Sequence, residues 1–194
     1  MVSRGRVVIM KPVFLIGYMG CGKTTLGEVL ARQMGLRYID LDEFIEQRHG
    51  MSVVEIFDKM GQESFRVMEF EALHEVAAMT DVIVGCGGGT PCHGGNMELM
   101  NDAGITVWLT TSPERITARL LLPEQKIKRP KIVDLPDDAV LPFVKKELEA
   151  RTPYYCQAQL QFDSTDIETG PDTRRTARRL ANLLLARFLP MKKK

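Results

Sequence analysis

The sequence predicts an α/β fold, a three-layer α/β/α arrangement around a five-stranded parallel sheet. Three observations predict it. Short apolar runs of strand character alternate with stretches of helical apolar spacing along the 194 residues, as they do when helices cover both faces of a parallel sheet. The run from Val13 to Thr25 passes from an apolar strand through a glycine-rich turn into a helix without interruption. A second glycine loop, Gly87-Gly88-Gly89, follows another β-branched run, and doubly wound sheets bind ligands at such strand ends.

Taken in order, strand one is Val13-Phe14-Leu15-Ile16, and an amphipathic helix begins near Lys23 and covers 26–34. Strand two, Arg37-Tyr38-Ile39-Asp40-Leu41-Asp42, runs out into two carboxylates. Helical spacing then covers 42–50 and 52–60, with Gly50 and Gly61 as stops and Ser52 as an N-cap. A long helix covers 63–79. Strand three, 81–86, is too short and too β-branched for a helix. A helix near 96–102, a strand at 105–109 and a helix from Pro113 capped by Ser112 follow. The stretch 120–142 carries Pro123, Pro130, Pro136 and Pro142 together with Lys126, Lys128, Arg129 and Lys131. It is expected to be a long surface loop, either a basic lid over 120–136 or a solvated linker. A helix at 143–155, a strand at 159–163 and a helix at 173–189 complete the chain, with Lys192-Lys193-Lys194 as a solvated tail. Trp108 and the methionines are expected to fill core.

The bulk properties favour one full-sized domain over two small ones. Lysine and arginine number 26 against 25 acidic residues, net +1. That balance speaks against an extended nucleic-acid or membrane surface. Cys21, Cys86, Cys92 and Cys156 lack zinc-type spacing, and Cys21 sits inside a loop that a disulfide would obstruct. A reducing cytoplasm is the expected setting, with no leader or membrane span, and a monomer is expected.

The chemistry starts at Gly17-Tyr18-Met19-Gly20-Cys21-Gly22-Lys23-Thr24, which fits G-x-x-x-x-G-K-[ST] at every fixed position. In a P-loop of this kind, backbone N–H groups cradle phosphates, the lysine reaches the outer phosphates and the hydroxyl ligates Mg²⁺. The expected nucleotide-binding residues are Gly20, Cys21, Gly22, Lys23, Thr24 and Thr25, helped by the helix dipole. Strand three ends in glycine without an aspartate, so Asp40 or Asp42 is the expected supplier of the carboxylate near Mg²⁺. Two apart on an extended segment, the pair would point the same way, one toward the metal and one toward a substrate hydroxyl. The alternative for Asp42 is capping of the next helix. Arg66 is locally as consistent with a surface ion pair to Glu69 or Glu63, and Arg151, beside Tyr154 and Tyr155, with a surface helix. Arg129 has a task if the lid closes, neutralising charge on a transferring phosphoryl group. His49, His74 and His93 lack metal-ligand spacing.

Together, the loop 17–24, Asp40-Leu41-Asp42, Phe65-Arg66, Gly87-Gly88-Gly89, Arg129-Pro130 and Arg151-Thr152-Pro153-Tyr154-Tyr155 resemble the shikimate kinases in order and spacing over residues 12–189. The resemblance implies a nucleoside-monophosphate-kinase-like fold and Mg²⁺-dependent transfer of the ATP γ-phosphoryl to the 3-hydroxyl of shikimate, a step toward chorismate and the aromatic amino acids. It implies Lys23, Asp42 and Arg129 as catalytic residues, and Thr24 and Asp40 in the Mg²⁺ shell. Arg66 and Arg151 would clamp the shikimate carboxylate, with Gly87, Gly88 and Gly89 beside the ring and Asp42 on the accepting hydroxyl. Arg119 matches an arginine that packs on adenine. The segment 42–79 would form the acceptor-binding flap. The chain departs from the family after the last strand, where Asp163-Ser164-Thr165-Asp166-Ile167-Glu168 replaces basic residues, and its lid segment is somewhat longer. A gluconate or nucleotide kinase of the same fold is the first rival reading. A nucleotide switch is the second, although the chain has no N-K-x-D motif for guanine.

Overall fold

Val13, Phe14, Leu15 and Ile16 are completely buried, as a strand inside a parallel sheet covered on both faces must be. In the computed structural model, which describes residues 10–127 and 129–188, they form β1 (Val13–Ile16). With β2 (Arg37–Asp40), β3 (Val82–Gly85), β4 (Ile105–Thr110) and β5 (Leu160–Asp163) it makes a five-stranded, all-parallel sheet in the order β2-β3-β1-β4-β5. Side chains alternate between two cores. Phe14, Ile16, Val82 and Val84 pack under α2 (Leu41–His49), α3 (Val53–Ala77), α4 (Asn96–Ala103), α5 (Pro113–Leu120) and α8 (Asp137–Tyr155). Val13, Leu15, Ile83 and Val107 pack under α1 (Lys23–Met34) and α9 (Gly170–Phe188). The predicted three-layer fold is the one observed. Among the described residues no helix is long and apolar enough to cross a membrane.

Local signals act where the sequence places them. Ser52 and Glu55 form a reciprocal capping box at the start of α3, and Ser112 Oγ accepts the Arg115 N–H at 3.2 Å to start α5. At Gly61 the helical run is interrupted, with φ 80° and ψ 171°. The two expected helices on either side of it are therefore the two halves of α3.

Three expectations are corrected. Strand two stops at Asp40, because Leu41 already begins α2 with Asp40 as its N-cap. The last helix begins at Gly170, ahead of the expected start at Thr173. The stretch 120–142 is not an irregular surface loop. It holds α6 (Pro123–Lys126), α7 (Pro130–Val133) and the first turns of α8. Pro123 and Pro130 sit in the first turns of α6 and α7, where a missing N–H costs nothing. Pro142 lies inside α8, and burial of Val140 and Val144 outweighs the bond it removes. Ile132 is fully buried and fastens the segment to the core. Lys128, Leu189 and the tail 192–194 lie outside the described residues. Trp108 is half-buried at the margin of a core.

The sheet also decides where chemistry can occur. β1 pairs directly with β3, Phe14 beside Val84 and Leu15 beside Gly85, and the Cys86 N–H donates to Leu15 O at 3.0 Å. The loops that leave these two strands are therefore neighbours. Ile132→Ala is expected to lower stability by about 3 kcal/mol, the usual cost of emptying a fully buried aliphatic site. Thermal unfolding should show a drop of roughly 6–12 °C; a drop under about 2 °C would mean that the segment is not fastened through Ile132.

Candidate active site

The phosphate loop wraps into the start of α1. Gly22 caps that helix in a left-handed conformation, φ 97°, without a side-chain bond to the first turn. The first intrahelical bond is Leu26 N–H to Gly22 O, 2.8 Å, so the N–H groups of Lys23, Thr24 and Thr25 point out of the helix end. Lys23 Nζ crosses the mouth of the loop and donates to Gly17 O at 2.8 Å and Tyr18 O at 3.0 Å. Cys21 is buried. Ser164, also buried, donates through Oγ to Cys21 O at 2.8 Å and ties the loop to the end of β5.

Asp40 and Asp42 both face the loop, but not as two positions of one strand. Asp40 closes β2 and caps α2, its Oδ1 accepting the Asp42 N–H at 3.1 Å. The cap is therefore Asp40, and Asp42 stands in the first helical turn, which leaves its side chain free of that duty. Asp40 Oδ2 accepts from Thr24 Oγ1 at 3.3 Å and from the Tyr38 hydroxyl at 3.4 Å. Asp42 is pushed up to about 6 by burial first, then by the Asp40 and Glu69 carboxylates, against the pull of Lys23.

Gly87, Gly88 and Gly89 let charged groups reach bare backbone. A Cβ on Gly87 would lie 3.2 Å from Asp42 Oδ1 and 3.0 Å from Thr90 Oγ1; on Gly88, 3.3 Å from Arg151 Nη1; on Gly89, 3.1 Å from Arg66 Nη2. Asp42, Arg66 and Arg151, distant in sequence, thus meet around one loop. Arg66 pairs with Glu69 at 2.6 Å, and the Glu69 side chain is only 1% exposed. Glu69 is buried and Arg66 half-buried, unlike the surface pair that the local spacing suggested. Glu69 also accepts from the Thr90 hydroxyl at 2.6 Å. Arg151 pairs with Glu147 at 2.5 Å, and the Tyr155 hydroxyl donates to Gly88 O at 2.6 Å.

A cavity of about 640 Å³ joins these parts, lined by Gly20, Gly22, Lys23, Thr24, Thr25, Asp40, Asp42, Gly87, Gly88, Arg119 and Arg129 among others. Arg66, Gly89 and Arg151 lie just beyond Gly88, outside that lining. Arg129 Nε and Arg66 Nε are buried without a protein hydrogen-bond partner, two donors suited to an anion. Arg119 spans the phosphate loop and the loop after β5, donating to Gly20 O and Thr165 O at 3.0 Å and to Glu168 Oε1 at 2.9 Å. Glu168, in the loop after β5, therefore holds Arg119 and Arg115 in ion pairs.

A family model for shikimate kinase matches residues 19–183. The chain belongs to the shikimate kinase family. Among curated members, the shikimate kinase of Phocaeicola vulgatus is 45% identical over 159 residues, 82% of this chain and 90% of that protein. A crystal structure of shikimate kinase from Bacteroides thetaiotaomicron superposes with a TM-score of 0.86 at 40% identity, covering 91% of this chain and 99% of that one. Shikimate kinase from Acinetobacter baumannii, solved in complex with shikimate, matches with a TM-score of 0.79 at 28% identity over 93% and 96% of the two chains. A gluconokinase from Sinorhizobium meliloti, TM-score 0.52 at 16% identity, shares the fold alone.

Sequence reasoning missed the residues that hold this candidate site together. Glu69 was visible only as a helix neighbour of Arg66; its second bond, to Thr90, spans 21 positions. Tyr155 reaches Gly88 across 67. The helical spacing of Phe65, Ala72, Leu73 and Val76 along α3, and of Val140 and Val144 along α8, is the local signal for the inward faces that Glu69 and Tyr155 share.

Because the Asp42 carboxyl is raised in the folded chain, its ionisation costs stability. Stability on this account is highest below about pH 4, the unfolded value, and falls as pH rises through about 6. Asp42→Asn, neutral throughout, should be more stable than wild type at pH 8 by about 2 kcal/mol and should lose that advantage at pH 4. Urea unfolding of both proteins at the two pH values measures it; a difference independent of pH would rule out the shift.

Proposed function

We propose that the chain is a shikimate kinase, transferring the γ-phosphoryl of ATP to the 3-hydroxyl of shikimate to give ADP and shikimate 3-phosphate. The observation that carries this reading is the grouping of Asp42, Arg66 and Arg151 around the three-glycine loop, next to the phosphate loop. Family membership supplies the acceptor's identity.

In this reading Lys23 exchanges the Gly17 and Tyr18 carbonyls for phosphate oxygens, and the first turn of α1 supplies N–H donors to the same group. Arg66 and Arg151 receive the shikimate carboxylate in forked hydrogen bonds, held in place by Glu69 and Glu147. Asp42 accepts a hydrogen bond from the attacking hydroxyl and takes its proton as the oxygen bonds to phosphorus and ADP leaves. A carboxyl near 6 is ionised at neutral pH and basic enough to take part. Arg129, on the segment 120–136, donates to the transferring phosphoryl and, as the segment closes, helps exclude water as a competing acceptor. The segment 42–79 forms the acceptor-binding flap, and Arg119 borders the nucleoside end of the cavity.

The donor set fits Mg²⁺. Thr24 Oγ1 and Asp40 Oδ2 are hard oxygen ligands side by side at the rim of the cavity, and Mg²⁺ takes one or two protein oxygens with substrate phosphates and water completing the shell. Among the described residues no group of three or more His, Cys, Asp or Glu could hold a metal alone, so such an ion would arrive with the nucleotide. When bound it supplies charge neutralisation on the phosphates.

ADP release from Mg·ATP should depend on shikimate when shikimate, gluconate, polyols and nucleotides are compared as acceptors. Equal release without acceptor, or preference for another one, would overturn the assignment. Arg66→Ala should raise the shikimate KM by about tenfold or more, the loss of one charge-assisted bond, with the ATP KM nearly unchanged. An unchanged shikimate KM would remove Arg66 from the clamp.

A further inference from the structure

Tyr18 belongs to the phosphate loop by sequence and to the acceptor side by position. It follows Gly17, yet it is not part of the lining of the cavity bordered by Lys23 and Thr24, and it is 1% exposed. The Arg151 guanidinium carbon stands 5.1 Å from the centre of its ring, within cation–π distance. Its hydroxyl is buried without a hydrogen-bond partner. A phenol that forgoes its hydrogen bond contributes through its ring.

The other contacts of Arg151 leave one freedom that this ring removes. Glu147, one helical turn back, holds a single end of the guanidinium at 2.5 Å. Gly88, beside Nη1, restricts the approach on one side, and the Tyr155 hydroxyl, which donates to Gly88 O, also borders the guanidinium itself. These are contacts of single polar atoms, and a forked bond to a carboxylate needs the plane of a long, flexible side chain held as well. An aromatic face beneath the guanidinium does define it. The same Gly88 lies against the phosphate loop, where its Cβ position is 3.5 Å from Met19 N and 3.6 Å from Gly17 O.

We propose that Tyr18 is a positioning residue for the acceptor: its ring orients Arg151, so that a phosphate-loop side chain sets affinity for the carboxylate of the second substrate. This rests on the assignment of Arg151 to the acceptor carboxylate. Tyr18 touches neither substrate's reacting atoms and acts through Arg151.

Steady-state kinetics with each substrate varied in turn test it. Tyr18→Leu should raise the shikimate KM about tenfold while kcat and the ATP KM change less than about twofold. Tyr18→Phe, which keeps the ring, should restore the wild-type shikimate KM. In an Arg151→Ala background, Tyr18→Leu should cause no further loss in kcat/KM for shikimate. An unchanged KM in Tyr18→Leu, a Tyr18→Phe variant as impaired as Tyr18→Leu, a parallel rise in both KM values, or full additivity with Arg151→Ala would each overturn the proposal. If thermal unfolding shows that Tyr18→Leu does not fold, Tyr18→Met carries the same expectations. The wild-type assay separates the two claims. Without shikimate turnover the acceptor assignment falls and this inference with it; with turnover and an unaltered Tyr18→Leu KM, this inference alone falls.

Discussion

The direct pairing of β1 with β3 is the constraint on which the rest depends. A parallel sheet sends every strand's following loop to the same edge, and the order β2-β3-β1-β4-β5 puts the loop after β1 against the loop after β3. One is the phosphate loop and the other the three-glycine loop. The donor cradle and acceptor platform of the proposed function thereby become adjacent through backbone pairing, before any side chain is chosen. β2, on the far side of β3, adds Asp40 and Asp42 to the same edge.

What the side chains add is charge in places where charge is costly. Glu69 is buried between Arg66 and Thr90, and Asp42 is buried beside two other carboxylates with one lysine in partial compensation. A buried ion pair seldom repays its desolvation, so these groups are poor devices for stability. Their arrangement makes sense as preorganisation: Arg66 and Arg151 are already held by carboxylates near where an anion would meet them, which reduces the ordering cost at binding. The core on both faces of the sheet supports that expense, with β1 wholly buried and α1 and α9 closing one side.

The fold was legible because each strand and helix announces its period locally and the phosphate loop joins three elements in thirteen residues. The irregular loop expected over 120–142 is helical instead, because Pro123 and Pro130 occupy helix starts and do not act as breaks there. Nothing local marks Ile132 as its anchor. The roles of Asp40 and Asp42 shifted for a related reason: the helix starts one residue after the strand, so the cap falls on the first aspartate. Arg66 and Arg151 could not be told from surface arginines by spacing, since the contacts that distinguish them, with Gly88 and Gly89, arise only in the tertiary structure. Family resemblance supplied what local physics lacked there.

The bond from Ser164 to the Cys21 carbonyl spans 143 positions, and it has a consequence for synthesis. The phosphate loop is made first, but its outer wall, Ser164 with Ile167 packed against Gly22, lies 143 positions further along. A growing polypeptide therefore carries the signature of a nucleotide site long before it has the site. With β5 last to join an otherwise complete sheet, closure of the cradle must await non-local pairing at the chain's far end.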